Sequence, residues 1–492
     1  MIGAYALIVF DSQIYYKGEM GDITGFLKIR RKEAGNRPVN ERICDFSEVE
    51  QVLNSEDRML QASRCMDCGI PFCHWSCPVD NLIPEWNDLL FKDQWKAAYE
   101  RLSATNNFPE ITGRICPASC EHACVLNIDR EPVTIRENEV AIIEKAFSEG
   151  YIKPTPPVKR TGKRVAVIGS GPAGLAAADL LNKGGHTVTI FEKDEKAGGL
   201  MTFGIPDFKL SKAIVYRRIN LMLKEGIILK TGTKIGHDIS GKDIISQFDA
   251  VCIAIGAGQP RDLDVEGRNL NGISFAMDFL CNQNRVNAGT MHSDENHLNA
   301  ENRKVLVIGG GDTGSDCVGT AIRQKAASVT QIEIMPKPPV ERLPDNPWPY
   351  FGKILKTTTS HEEGCERMWN LSTRRFIGAD GNVQGVEVEE VRWEYENGRY
   401  TMKYIQGTSD IIQADLILLA LGFINPVTEG LVSELELELD NRKNIKTDDI
   451  LATNVRKVFA AGDSVSGASL VVNAIASGRK AAKEINRFLR NQ

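Results

Sequence analysis

The hydrophobic positions follow two different periods along the chain. From Phe46 to about Phe147 they recur at helical spacing, through Val49 to Leu53, Arg58 to Ser63, Leu82 to Phe91 and Asp93 to Leu102, which predicts a small helical domain. Residues 150–163 carry three prolines, end that pattern and read as a semi-stiff linker. Beyond it short apolar runs alternate with helical stretches. Val165 to Ile168, Thr187 to Phe191, Ile227 to Lys230, Ala250 to Ile255, Leu416 to Gly422 and Val458 to Asp463 read as strands, and Ser469 to Arg479 as helix. That alternation predicts parallel α/β units.

At 492 residues the chain is too long for one core, and 42% hydrophobic with 25% charged residues is an ordinary globular balance. No apolar run approaches the length needed to span a bilayer. A net charge of -6 offers no electrostatic footprint for nucleic acid or an anionic membrane, so neither is an expected partner. Residues 1–19 open on an apolar run with no basic residues before it and no clear cleavage site after it, and read as an upstream extension rather than a signal peptide.

Two stretches have the form strand, glycine turn, helix, strand. In the first, RVAVIGSGPAGL, Gly169, Gly171 and Gly174 give G-x-G-x-x-G around Pro172 and Ala173. The first glycine permits the tight turn, the second lets a pyrophosphate reach backbone N–H groups, and the third lets helix and strand pack closely. The phosphates of a dinucleotide then sit on a helix N-terminus. Glu192, at the end of the next strand, is placed for a ribose hydroxyl pair. Gly199 and Leu200 follow in a glycine-punctuated loop where backbone can approach a flat ligand.

The second stretch, KVLVIGGGDTGSD, has Gly309, Gly311 and Gly314 around Asp312 and Thr313. The tip of its second strand is read at Met335, Pro336 and Lys337, followed by Arg342, with no carboxylate. Cations in place of an acid suit a 2′-phosphate, so NADPH is expected over NADH. Gly462 and Asp463 close a strand from the far end of the chain, which places the second cradle as an insertion in the domain of the first.

Seven of the 12 cysteines cluster as C-x2-C-x4-C-x3-C-P (Cys65, Cys68, Cys73, Cys77) and C-P-x2-C-x3-C (Cys116, Cys120, Cys124). Clustered cysteines favour metal chemistry in a reducing cytoplasm over disulfides. A cysteine followed by proline resembles the bacterial ferredoxin run, and two iron–sulfur clusters are expected, with structural zinc as the alternative. Two four-iron clusters need about eight ligands, one more than the cysteines supply. His74, His122 and Glu139 are the nearby candidates. Thr134 to Glu137 reads as a capping box, leaving Glu139 free, although by its residues alone Glu139 is expected to be exposed. The segment Asp345 to Tyr350, DNPWPY, is expected to be a loop near a ligand or partner, His361 to Glu363 an exposed loop, and Cys44 and Cys317 packed side chains.

Together, MGDITGFLK, RCMDCGIPFCHWSCPV, GRICPASCEHACVLNI, the two cradles, GGLMTFGIPDFKL, NPWP and AAGDSVSGASLVVNAIASGRKAA make the chain resemble the small (β) subunit of bacterial NADPH-dependent glutamate synthase, from about Met20 onward. The same electron-entry module resembles part of dihydropyrimidine dehydrogenase. The resemblance implies an α/β fold: an N-terminal helical iron–sulfur domain followed by two Rossmann-like domains, the NADPH domain inserted in the FAD domain. The expected boundaries are 20–149 for two 4Fe-4S clusters, 150–163 for the linker, 164–270 and 423–492 for FAD, and 271–422 for NADPH.

It further implies that Cys65, Cys68, Cys73 and Cys124 hold one cluster, while Cys77, Cys116, Cys120 and Glu139 hold the other. Glu192 would meet the FAD ribose and Asp463 the ribityl chain, with the helix after Gly467 aimed at the isoalloxazine. Asn473 departs from the pattern, where an aromatic residue is expected. The implied activity is cytoplasmic electron transfer from NADPH through FAD and the clusters to a large (α) subunit, which makes glutamate from glutamine and 2-oxoglutarate. No glutaminase nucleophile is found at the chain start, so this chain alone is not expected to make glutamate. The alternatives are a related NADPH-dependent flavin and iron–sulfur oxidoreductase serving ferredoxin or another acceptor, and a zinc-stabilised scaffold.

Overall fold

The computed structural model describes residues 24–291, 298–396 and 399–491. The expected extension, residues 1–19, lies outside them. The helical pattern holds over Ser55–Ala62, Ile83–Phe91, Trp95–Thr105, Pro109–Ile115 and Ile135–Ser148. Val49 to Leu53 is not helical: the Val49 N–H donates to the Phe208 carbonyl at 3.0 Å, so a tertiary bond fixes this segment as extended. Trp86, Leu90, Leu102, Phe108 and Ile142 are almost completely buried in the helical core, each contributing about 1.5–3 kcal/mol by the area it removes from water.

Strands β1 (Arg164–Ile168), β2 (Thr187–Phe191), β3 (Ile228–Lys230) and β4 (Ala250–Ile253) build the first parallel sheet. The short β5 (Gln259–Pro260) marks the crossover into a second parallel sheet, which holds β6 (Ile273–Phe275), β7 (Lys304–Ile308), β8 (Ser328–Glu333) and β9 (Glu366–Trp369). An antiparallel unit, β10 (Leu371–Ala379), β11 (Asn382–Glu396), β12 (Arg399–Tyr404) and β13 (Asp410–Gln413), follows before β14 (Leu416–Leu419) returns to the second sheet beside β7. Finally β15 (Phe423–Asn425) pairs with β5, and β16 (Val458–Ala460) joins β4. The strand orders are β16-β4-β1-β2-β3 and β6-β14-β7-β8-β9. Strands from both ends of the α/β region therefore close the first sheet, and the second is inserted in it. In the two parallel sheets β1, β2, β4, β7, β14 and β16 are largely buried, as expected of parallel strands covered on both faces.

The long helix Val471–Arg490 packs on Pro172–Lys183, and Gly478 permits the contact, since a Cβ there would overlap the Ala173 carbonyl. Buried ion pairs join the layers. Arg218 donates to both oxygens of Glu110, at 2.5 and 2.9 Å, between the helical domain and the first α/β unit. Glu363, with its side chain fully buried, accepts from Arg42 and Arg323. This corrects the reading of 361–363 as an exposed loop. Thr359–Glu362 is a short helix, and the His361 Nε2 bonds Gln331 Oε1 at 2.8 Å. Cys317 is buried as expected, whereas Cys44 is exposed.

Candidate functional site

The two glycine turns have the same geometry. The Gly169 N–H donates to the Phe191 carbonyl at 2.8 Å, and the Gly309 N–H to the Ile332 carbonyl at 2.9 Å. Gly169 and Gly309 have φ of +101° and +123°, and a Cβ on either would overlap a backbone carbonyl of the neighbouring crossover, Ala254 or Ala420. A Cβ on Gly174 or Gly314 would overlap the carbonyl of the first glycine. Gly171 and Gly311 instead face open space, with no atom within 4 Å of the Cβ position. Each turn is thus closed where the chain packs and open where a pyrophosphate must approach, so both fit a dinucleotide. Pro172 and Asp312 are the first residues of the following helices.

Glu192 is buried, its Oε2 accepting the Ser170 N–H at 3.0 Å and its Oε1 the Asp194 N–H at 2.9 Å. The carboxylate is held rigidly at the end of β2. Gly199 lies beside Gly171, and Gly462 beside Ala173, so the Gly199-Leu200 loop and the Gly462-Asp463 corner close over the first cradle. Asp463 accepts the Ser469 hydroxyl at 2.7 Å. Leu470, Val471 and Ala474, from the start of the long C-terminal helix, line the same cavity as Asp463, while Asn473 is exposed.

At the second cradle the absence of a strand-tip carboxylate is overturned. Ile332 pairs with Ile308 as Phe191 pairs with Ile168, so Glu333 stands where Glu192 does. Its Oε2 accepts the Gly310 N–H at 2.5 Å and its Oε1 the Met335 N–H at 3.1 Å. The tip therefore comes two residues before Met335. Lys337 is exposed, with its ammonium 5.0 Å from the Trp369 ring centre. Arg342 does not join it: its guanidinium donates to the carbonyls of Asn346, Tyr350 and His122 at 3.4, 2.7 and 3.3 Å, so it ties DNPWPY to the helical domain.

The seven clustered cysteines form no disulfide. Cys65, Cys68, Cys73 and Cys124 line one small, almost wholly apolar cavity, together with Met66, Phe72 and Leu126. Cys77, Cys116, Cys120 and Glu139 form a separate group of neighbours. Burial pushes the Cys73 and Cys116 thiols up to about 12, so as free thiols they stay protonated. Among the described residues no three metal-ligating side chains converge closely enough for a single ion. The four thiols around the first cavity are a soft donor set that fits an iron–sulfur cluster.

Glu139 is only 6% exposed, contrary to the expectation from its residues alone. Its Oε1 accepts the Thr112 hydroxyl and, at 2.9 Å, the Asn106 amide, while Oε2 accepts neither. Burial pushes its carboxyl up to about 7. The expected capping box is not formed. Glu137 instead bonds Arg58 at 2.6 Å and the Ala34 N–H at 3.2 Å, because the buried guanidinium needs a carboxylate more than the helix end does.

A cavity of about 1080 Å³ joins these parts. Gly171, Glu192, Leu200 and Asp463 line it from the first cradle, Asp312 and Thr313 from the second, and Cys116 and Pro117 from the second thiol group. DNPWPY and the adjoining Phe351 lie against the helical domain, with the Trp348 and Phe72 ring centres 4.6 Å apart and those of His122 and Phe351 4.2 Å apart.

Two nucleotide cradles and a cysteine-rich helical domain around one cavity define an iron–sulfur pyridine-nucleotide oxidoreductase. The chain matches the pyridine nucleotide-disulphide oxidoreductase family over residues 163–478, and the dihydropyrimidine dehydrogenase domain II, 4Fe-4S cluster family over 42–151. It is 48% identical over 474 residues to the glutamate synthase [NADPH] small chain of Mycobacterium tuberculosis, covering 96% of each chain. It is 44% identical over 477 residues to the glutamate synthase [NADH] of Schizosaccharomyces pombe, covering 94% of this chain and 22% of that protein. A solved structure of M. tuberculosis FprA in complex with NADPH shares the fold at 16% identity, with a TM-score of 0.53 over 67% of this chain and 85% of that one. The chain belongs to the glutamate synthase small-chain family.

Proposed function

We propose that the chain is the electron-entry subunit of a glutamate synthase, taking hydride from NADPH and delivering electrons to a large subunit in the cytoplasm. The carrying observation is the single cavity lined by both cradles and by Cys116. FAD would occupy the first cradle, its ribose held by Glu192 and its ribityl chain by Asp463, and NADPH the second. When bound, FAD and the clusters supply the conversion of a two-electron hydride into single electrons.

The chain's own work is alignment. The open faces of Gly171 and Gly311 seat two pyrophosphates on the helices Pro172–Lys183 and Asp312–Arg323. The N-terminus of Val471–Arg490 lies at the cavity wall, where its positive end favours added negative charge. No side-chain acid or base is required for hydride transfer, so positioning dominates. Cys77, Cys116, Cys120 and Glu139 form the group nearer this cavity, and Cys65, Cys68, Cys73 and Cys124 the group beyond it. Among the described residues no helix is long and apolar enough to cross a membrane.

The test is reconstitution. The chain mixed with a glutamate synthase large subunit should form glutamate from glutamine, 2-oxoglutarate and NADPH, while either chain alone should form none. Reduction of ferredoxin or a dye without any such complementation would assign the chain to a different acceptor.

A further inference from the structure

The tip of β8 carries more than the carboxylate of Glu333. In register, Glu333 faces Trp369 at the end of the neighbouring strand β9. The Trp369 indole carries two cations, the Lys337 ammonium and the Arg367 guanidinium, each 5.0 Å from its ring centre. Neither cation forms an ion pair with a carboxylate among the contacts of the described residues. Arg367 is half-buried and Lys337 exposed. One strand tip therefore presents an acid fixed by two backbone N–H groups and a pair of cations held on a flat aromatic surface.

Those two features recognise different groups. A carboxylate fixed beside the glycine turn accepts hydrogen bonds from ribose hydroxyls and repels a phosphate, whereas Lys and Arg bind a phosphate. At the first cradle Glu192 has no such cation pair on an aromatic ring among the described residues: β3 places the single Lys230 in register with Phe191 and over its ring.

We propose that the second cradle reads both forms of the pyridine coenzyme, Glu333 accepting the ribose 2′-hydroxyl of NADH while Lys337 and Arg367 take the 2′-phosphate of NADPH. Glu333 then narrows the preference for NADPH and admits NADH as a second hydride donor. The chemistry is unchanged: the hydride leaves either nicotinamide with its electron pair, oxidising the coenzyme and reducing the flavin. This inference rests on the reading of the second cradle as the pyridine-nucleotide site.

Calorimetry on the holoprotein with ADP-ribose and with 2′-phospho-ADP-ribose tests it, because binding is read without turnover. The wild type should bind both. Glu333→Gln should shift the affinity ratio toward the phosphorylated probe by at least about tenfold, and Lys337→Ala with Arg367→Ala should shift it the other way by a similar factor. Initial rates of flavin reduction by NADH and NADPH should follow the same ordering. Flavin and iron content check that each variant folds; should Glu333→Gln lose them, the cation variant still carries the test. Binding of the phosphorylated probe alone, or a ratio unmoved in the folded variants, would overturn the inference and leave the nucleotide site standing. Binding of neither probe would overturn the site itself.

Discussion

The indole N–H of Trp348 donates to the carbonyl oxygen of Cys124 at 3.2 Å. It thereby ties a loop of the inserted domain to the wall of the cavity that Cys65, Cys68, Cys73 and Cys124 line. The Trp348 ring packs on Phe72, which lines that cavity immediately before Cys73, so one side chain contacts the chain at Cys124 and beside Cys73. Trp348→Ala should expose the cluster to water and oxygen, shortening the lifetime of its visible absorbance in air severalfold. Trp348→Phe should retain most of the protection, since the packing outlasts the hydrogen bond. Equal lifetimes in all three proteins would assign the contact to domain docking alone.

Glu139 is the eighth candidate ligand, and its neutral isostere separates ligation from packing. Glu139→Ala should lower iron from about eight to about four per chain, removing the cluster of Cys77, Cys116 and Cys120. Glu139→Gln should retain iron but change that cluster's EPR signal. Full iron with an unchanged signal in Glu139→Ala would place the carboxylate outside the cluster.

Gly311 has open space where a side chain would project. Gly311→Val should therefore leave the melting temperature and FAD content nearly unchanged while weakening pyridine-nucleotide binding at least about tenfold, because the added atoms occupy the place of the pyrophosphate. Gly309→Val should behave differently. At φ +123° and against the Ala420 carbonyl it should fail to fold correctly. Thermal melts and nucleotide titration on the two variants check the contrast.

How much of this was legible in the chain depended on the range of the interaction. The cradles were visible because their glycines act within six residues and need only a local turn. Glu333 was missed because Ile332, Glu333 and Ile334 continue the alternation of β8, and only the pairing of Ile332 with Ile308 marks where the strand ends. Register with β1 and β2 is the signal that finds it. Glu137 looked like a cap because the capping box is a local pattern, yet its carboxylate answers to Arg58, 79 residues away. The contacts of Arg342, Trp348 and Glu363 cross between domains, and nothing in their neighbourhoods announces that. The Glu139 group was countable from ligand arithmetic, but its burial follows from helix packing against Thr112 and Asn106.

His361 supplies a pH dependence. Burial, then the cations Arg367, Lys209 and Lys356, pull its imidazole down to about 4, with Asp312 opposing. The neutral ring accepts the Thr358 N–H at Nδ1 and bonds Gln331 at Nε2. Between the ordinary histidine value and about 4 the unfolded chain binds a proton that the folded chain does not, so stability falls as pH drops through that window and is fully retained above it. Melting temperature should decline from pH 6.5 toward 4, with a shallower slope in His361→Gln. Equal slopes would assign the acid sensitivity to other groups.

Electrons are expected to run from the second cradle through the first to the thiol groups. The most direct measurement of this path is an anaerobic titration of the purified chain with NADPH, followed by visible absorption and EPR, with iron and zinc analysed on the same sample. Flavin bleaching at low NADPH, iron near eight per chain, and an EPR signal from a reduced cluster are expected. A chain carrying zinc in place of iron and no flavin, or a flavin that NADPH fails to bleach, would contradict this path.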